Sequence, residues 1–387
     1  MRLITKIVLT LVTMSTIASA CGNIFINKGG FHVEARSMEF GYNMASSNVI
    51  RFIGQKQTSN ILLNLDKIPT QKILSWEYKN GFVGRADTWR PGMLMDGMNT
   101  KGVSVSFLYA PGITTYPEYN NSDKRKVINA FDIPTYILST ASSTDDAVRK
   151  LKNLQILNAV AEVLPGQYFK NIPMHLSIRD KSGKSAVVEW IDGKTVINIS
   201  AKNVMTNSPS YPQQLKNAAK YSSLKVTNTK VNKKFENRVI DYKFIFNMKG
   251  SRSEQTALMG LPADFTPPSR FVRATVLLDN MITPSNSTHA RMQATEIIGT
   301  VATIGIDTND LALWYVVKDL DNLVFYSRNA YFYQALNKVT AYDPAVGYEV
   351  LDLKTINFKM IPLEWQKEYK ALSPQEAKKL KITDMLK

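Results

Sequence analysis

MRLITKIVLTLVTMSTIASAC, residues 1–21, is the stretch on which the reading of the whole chain turns. Arg2 and Lys6 give it a positive start, Ile7 to Ile17 an apolar centre, and Ala18-Ser19-Ala20 a small-residue end of the A-x-A kind. That is the layout of a secretory signal peptide. The apolar centre is shorter than the roughly 20 residues a membrane span needs. No later segment is apolar for long enough either. The expectation is a signal peptide at 1–20 and a soluble mature protein of residues 21–387, periplasmic or secreted and without stable membrane insertion; an uncleaved anchor is the alternative. With 44% hydrophobic and 21% charged residues, the mature chain can form one large core and reads as a single domain.

Cleavage after Ala20 makes Cys21 the first residue, and Cys21 is the single cysteine of the chain. An exported chain with one cysteine can form no internal disulfide. Three readings of Cys21 stand side by side. It could be a lipoprotein cysteine anchoring a non-catalytic protein, although Ala18 stands where a lipoprotein box prefers Leu. It could be a buried structural residue, for which a chain terminus is an unusual place. It could be an N-terminal nucleophile. In that last case its own α-amine, with a reference pKa of about 7.7–8.0, can take the thiol proton and later protonate a leaving amine.

The formal net charge of +16 raises the question of a polyanionic partner. The basic residues are scattered, however, and the nearest approach to a cluster is Lys230, Lys233 and Lys234 in a loop-like stretch. A solvated basic surface and no nucleic-acid partner is the reading. The three histidines, His32, His175 and His289, are far apart and lack metal-ligand spacing, so no metal and no cofactor is expected.

Strand signals dominate. Ser104 to Tyr109 alternates and stops at Pro111-Gly112; His175–Arg179, Ser185–Trp190 and Thr195–Ile199 are short β-rich runs separated by turn residues, which reads as an antiparallel meander. Ser143-Thr144-Asp145-Asp146 caps an amphipathic helix carrying Ala147, Val148, Leu151 and Leu154. Ala290–Thr303 is helical by composition, and Ser373-Pro374-Gln375-Glu376 opens a last helix. Blocks of strands and helices together indicate α+β, an antiparallel sheet covered by helices.

Besides Cys21, an amide hydrolase needs donors for an oxyanion and positive charge near the thiol. Candidates sit in Ala35-Arg36-Ser37-Met38-Glu39-Phe40, Asp96–Gly102, Val204-Met205-Thr206-Asn207-Ser208-Pro209 and Pro267-Pro268-Ser269-Arg270-Phe271-Val272-Arg273. Taken singly, each could be an ion pair, a turn or a structural arginine. Together, in this order after Cys21, they resemble the choloylglycine hydrolase family of bile salt hydrolases and penicillin V acylases. The resemblance runs from Cys21 to about Arg273 and is weaker beyond.

That resemblance implies the N-terminal nucleophile hydrolase fold, four layers in the order αββα. It implies a small-molecule amide substrate and attack by Cys21 through an acyl thioester. Asn207 and the backbone N–H of Tyr109 would form the oxyanion hole, Arg36 and Arg270 would favour the thiolate, and Glu39 would hold the α-amine. Family members often form homotetramers, which the sequence leaves open. Glu39 stands where the family often has Asp. Tyr109 stands where bile salt hydrolases carry Asn, and is more like penicillin V acylases. Trp89, Met93, Met95 and Tyr109 are candidates for an apolar acyl pocket, or ordinary core residues. Penicillin V-like or N-acyl homoserine lactone-like amides rank before conjugated bile salts.

Overall fold

The computed structural model describes residues 21–40, 46–59, 68–87, 93–157, 161–164, 167–169, 172–199, 202–224, 258, 260–303, 311–329, 332–334, 338–340 and 347–359. The leader, Trp89, Lys230, Lys233, Lys234 and the Ser373–Glu376 segment lie outside these residues. Two antiparallel sheets carry the described chain. The first joins β1 (Gly22–Lys28), β2 (Phe31–Phe40), β10 (Val204–Met205), β11 (Leu311–Asp319), β12 (Val324–Asn329) and β13 (Glu349–Asp352) in the order β10-β1-β2-β11-β12-β13.

The second sheet joins β3 (Ser46–Arg51), β4 (Phe82–Asp87), β5 (Leu94–Asn99), β6 (Val103–Tyr109), β7 (Met174–Asp180), β8 (Ser185–Ile191) and β9 (Lys194–Ile199), in the order β9-β8-β7-β6-β5-β4-β3. The run β6-β7-β8-β9 contains the expected meander. Helices α4 (Pro267–Asn280) and α5 (Ser287–Val301) pack on the first sheet, and α1 (Ile133–Thr140) and α2 (Thr144–Lys152) on the second. The layers are therefore αββα.

This layering decides how the strands read. β6 alternates Val103, Val105 and Phe107 with Ser104 and Ser106, yet all five are fully buried. Phe107 stacks edge-on against Phe131 just before α1, while Ser106 hydrogen-bonds groups of the first sheet. An alternating strand usually turns its polar face to water; here that face turns to a second sheet.

Helix boundaries follow local capping. In α2 the Ser143 side chain accepts from the N–H of Asp146, and Ala147, Val148 and Leu151 are buried. Leu154 has left that helix and begins a short strand, Leu154–Leu157. α5 starts three residues before the expected Ala290, because the Asn286 side chain accepts from the N–H of His289. It ends at Val301, before Thr303.

α1 lies close on the second sheet where Gly84 and Gly97 face each other across β4 and β5. A Cβ on Gly97 would stand 2.6 Å from Leu138 Cδ1 and 2.8 Å from the Val83 carbonyl oxygen. Gly97→Ala is expected to destabilise by about 1–3 kcal/mol through overpacking, read as a lowered melting temperature by calorimetry.

Candidate active site

Cys21 sits just ahead of β1, where the β1–β2 register carries it opposite Met38. Its Sγ is 3.5 Å from Met38 Sδ and 3.7 Å from the Glu39 carbonyl oxygen, and the residue is fully buried. Side chains two apart on a strand share a face. Cys21 thus shares its face with Asn23, and Glu34, Arg36 and Met38 lie together on the neighbouring strand.

Arg270, in the first turn of α4, joins the two distant halves of the site. Its Nη1 donates to the Cys21 carbonyl at 2.9 Å, and its Nη2 to Asn207 Oδ1 at 2.8 Å. Its Nε donates to the Phe265 carbonyl at 2.9 Å. Asn207 Nδ2 in turn donates to the Tyr109 carbonyl at 2.7 Å. The orientation of this amide is fixed chemically, since an arginine only donates and a carbonyl only accepts. Gln214 on α3 (Tyr211–Ala219) holds the Asn207 carbonyl at 3.1 Å, and Thr206 donates to the Pro267 carbonyl at 3.0 Å.

The backbone of Tyr109 points the same way. Ala110 donates to the Pro173 carbonyl at 2.8 Å, making 110 and 173 a hydrogen-bonded pair. In an antiparallel ladder the next pair, Tyr109 and Met174, is then a non-hydrogen-bonded one. Both the N–H and the C=O of Tyr109 consequently face away from β7, on the side of Asn207.

Arg36 occupies a fork. The β5–β6 pairing runs from Met98↔Ser104 to Asp96↔Ser106 and stops there. The next carbonyls, of Met95 and Phe107, both accept from Arg36, the latter at 2.8 Å. Arg36 Nη2 is also 3.4 Å from Met38 Sδ, and its guanidinium lies 5.0 Å over the Trp314 ring. Its link to the thiol therefore runs through Met38. Glu39 is fully buried on the adjoining position of β2.

Of the candidate pocket residues, Met95 is buried in the core, and Met93 and Tyr109 are half-buried against it. Burial raises the Tyr109 phenol above its usual range. The Tyr109 ring meets Phe40 edge-on at 6.0 Å. Phe40 closes a candidate segment of the sequence but was not among the pocket candidates; its signal was position, two residues past Met38 on the same face of β2.

Sequence reasoning also missed a buried charge cluster beneath this site. Lys318 of β11 lies 3.0 Å from Glu34 Oε2 and 2.8 Å from Asp96 Oδ1. Asp96 Oδ2 is 3.4 Å from Arg36 Nη1, and Arg179 Nη1 is 3.9 Å from Glu34 Oε1. All five side chains are sealed from solvent. Ser106 donates to Asp96 Oδ2 at 2.6 Å, and Asn23 donates to Glu34 Oε1 at 2.7 Å. For Glu34, burial opposes ionisation. The charges of Lys318 and Arg179 and the hydrogen bonds of Ser104 and Asn23 outweigh it, lowering the carboxyl from 4.5 to about 2.

The choloylglycine hydrolase family, described as linear amide C–N hydrolases, matches over residues 21–342. A bile salt hydrolase/transferase of Clostridium perfringens is 27% identical over 256 residues, 64% of this chain and 71% of that protein. A penicillin V acylase of Pectobacterium atrosepticum is 36% identical over 149 residues, 38% of this chain and 39% of that one. Solved structures share the fold. A variant of the conjugated bile acid hydrolase of Clostridium perfringens matches with a TM-score of 0.65 at 22% identity, covering 88% of this chain and 94% of that one. The penicillin V acylase of Agrobacterium tumefaciens matches with a TM-score of 0.63 at 21% identity, over 87% of each chain.

The lowered Glu34 carboxyl gives stability a pH dependence. A depressed folded-state value adds stability that is present above the unfolded value and lost as pH falls through the folded one. The Glu34 contribution should therefore disappear between about pH 4.5 and pH 2. Glu34→Gln is expected to cost about 3–5 kcal/mol at pH 7, as for breaking one partner of a buried pair. Its deficit against wild type should shrink across that window in urea titrations.

Proposed function

Since the chain belongs to the choloylglycine hydrolase family of linear amide C–N hydrolases, we propose that it is an exported cysteine amidase whose nucleophile is the thiol of Cys21, freed by cleavage after Ala20. The observation that carries this reading is the Arg270 bridge, which ties the Cys21 carbonyl to the Asn207 amide.

The α-amine of mature Cys21 takes the thiol proton, and the sulfur attacks the amide carbonyl. The Asn207 amide has two hydrogens and gives one to the Tyr109 carbonyl. The other, with the Tyr109 N–H, holds the oxyanion. Collapse returns the proton to the leaving amine and leaves an acyl thioester, which water hydrolyses by the reverse use of the same base. Arg36 favours the thiolate through the sulfur of Met38, and Glu39 holds the α-amine. A lipid on Cys21 would remove base and nucleophile together, which sets the lipoprotein alternative against this reading.

The acyl group rests against the half-buried aromatic pair of Phe40 and Tyr109. Such a lining suits a flat aromatic or linear aliphatic acyl chain, as in penicillin V-like or N-acyl homoserine lactone-like amides. Conjugated bile salts are the second reading, favoured by the relatives that carry that activity in their names. Amine release from penicillin V, a long-chain acyl homoserine lactone and glycocholate, by protein beginning at Cys21, separates these. Cleavage of penicillin V or the lactone ahead of glycocholate is expected, and preference for glycocholate would overturn the substrate ranking.

Cys21→Ala should abolish turnover of the preferred substrate. Asn207→Ala should lower kcat about 100- to 1000-fold with KM little changed, as for other lost oxyanion donors. An unchanged kcat in Asn207→Ala would remove Asn207 from the oxyanion hole.

A further inference from the structure

We propose that the sealed cluster of Lys318, Asp96, Glu34 and Arg179 sets the charge state of the Cys21 thiol, with Lys318 and Asp96 acting on it as positioning residues through Arg36. The inference rests on Cys21 being the nucleophile.

A continuous chain of contacts joins the cluster to the sulfur. Cys21 Sγ lies 3.5 Å from Met38 Sδ, which lies 3.4 Å from Arg36 Nη2. Arg36 Nη1 is 3.4 Å from Asp96 Oδ2, and Asp96 Oδ1 is 2.8 Å from Lys318 Nζ. The cluster is also fixed to the strand that Cys21 precedes, because Asn23 bonds both Glu34, at 2.7 Å, and Ser106, at 3.1 Å.

The sign of the field follows from the groups present. On β2 stand Glu34, Arg36 and Glu39; β5 brings Asp96, β7 Arg179 and β11 Lys318. α4 brings Arg270 to the Cys21 carbonyl, and β6 brings the Tyr109 phenol, which burial keeps in its neutral form. α5 packs Val301 and Ile298 against Gly22. Arg36, Arg179, Arg270 and Lys318, with Arg85 of β4 acting on Asp96, outnumber the carboxylates Glu34, Glu39 and Asp96, and the α-amine of mature Cys21 adds to the positive side. No solvent reaches these side chains, so counter-ions do not screen them as they would at a surface. Removing one charge from such a set moves a neighbouring titration by about one pH unit at an interior effective dielectric near 20.

Cys21 is the sole cysteine, so iodoacetamide alkylation reads its thiol with no substrate present. The experiment measures the alkylation rate against pH in mature wild type, Asp96→Asn and Lys318→Met. Loss of a negative charge in Asp96→Asn should lower the midpoint of the profile by about one pH unit, and loss of a positive charge in Lys318→Met should raise it by about as much. A purely structural role would move both variants the same way. A common direction, or an Asp96→Asn midpoint that rises or stays at the wild-type value, overturns the proposal. Should Lys318→Met not fold, Asp96→Asn decides alone, since it is isosteric and keeps an oxygen for Arg36. Turnover by the wild type is followed in parallel. An inactive wild type would count against the amidase, while the alkylation profiles would still answer for the cluster.

Discussion

Lys318, Glu34 and Asp96 meet between two sheets, sealed from bulk solvent, and this contact constrains everything around it. A buried charge is tolerated only where partners and hydrogen bonds replace its hydration. Lys318 comes from β11, Glu34 from β2 and Asp96 from β5. Any other register of the two sheets would part these charges, which Ser106 and Asn23 also hydrogen-bond. Apolar burial drives the sheets together but does not choose among such registers. A polar layer is more selective, because each of its charges needs its partner, and it is joined to Cys21 through Arg36 and Met38.

Arg36 transmits that order to the site. A guanidinium held by Asp96 fills the place where the carbonyls of Met95 and Phe107 would otherwise need strand partners. The β5–β6 pairing ends at that point. Beyond it, the backbone of Tyr109 is turned toward Asn207 rather than into a ladder. Arg36 thus bears on the backbone that leads to the Tyr109–Asn207 contact.

How much of this could be read from the chain depends on the range of the interaction concerned. Strands bounded by turns, such as Ser185–Ile191 and Lys194–Ile199, are local and were legible; so was the Ser143 cap. Cys21, Arg36, Asn207 and Arg270 were legible because each sits in a short pattern that keeps its order along the chain. Lys318 had no such pattern: LALWYVVKD reads as an apolar strand with a charged end. Its partners lie 284 and 222 positions away, at Glu34 and Asp96. The burial of Ser104 and Ser106 was equally silent, since alternation alone does not say whether a polar face meets water or a second sheet. The start of α5 was missed because its cap is a lone asparagine, with no acidic partner three residues on to announce it.

The Arg270 bridge shows why scattered motifs belong to one site. Cys21 stands just before the first strand and is held from two sides. The β1–β2 ladder fixes the residues after Cys21, and Arg270 fixes the Cys21 carbonyl from the opposite side. The same guanidinium settles which end of the Asn207 amide faces the Tyr109 backbone. One rigid, planar, permanently charged group thereby sets the distance between the Cys21 backbone and the Asn207 amide. Lysine could supply the charge but not the two diverging donors, so the geometry itself accounts for arginine at position 270.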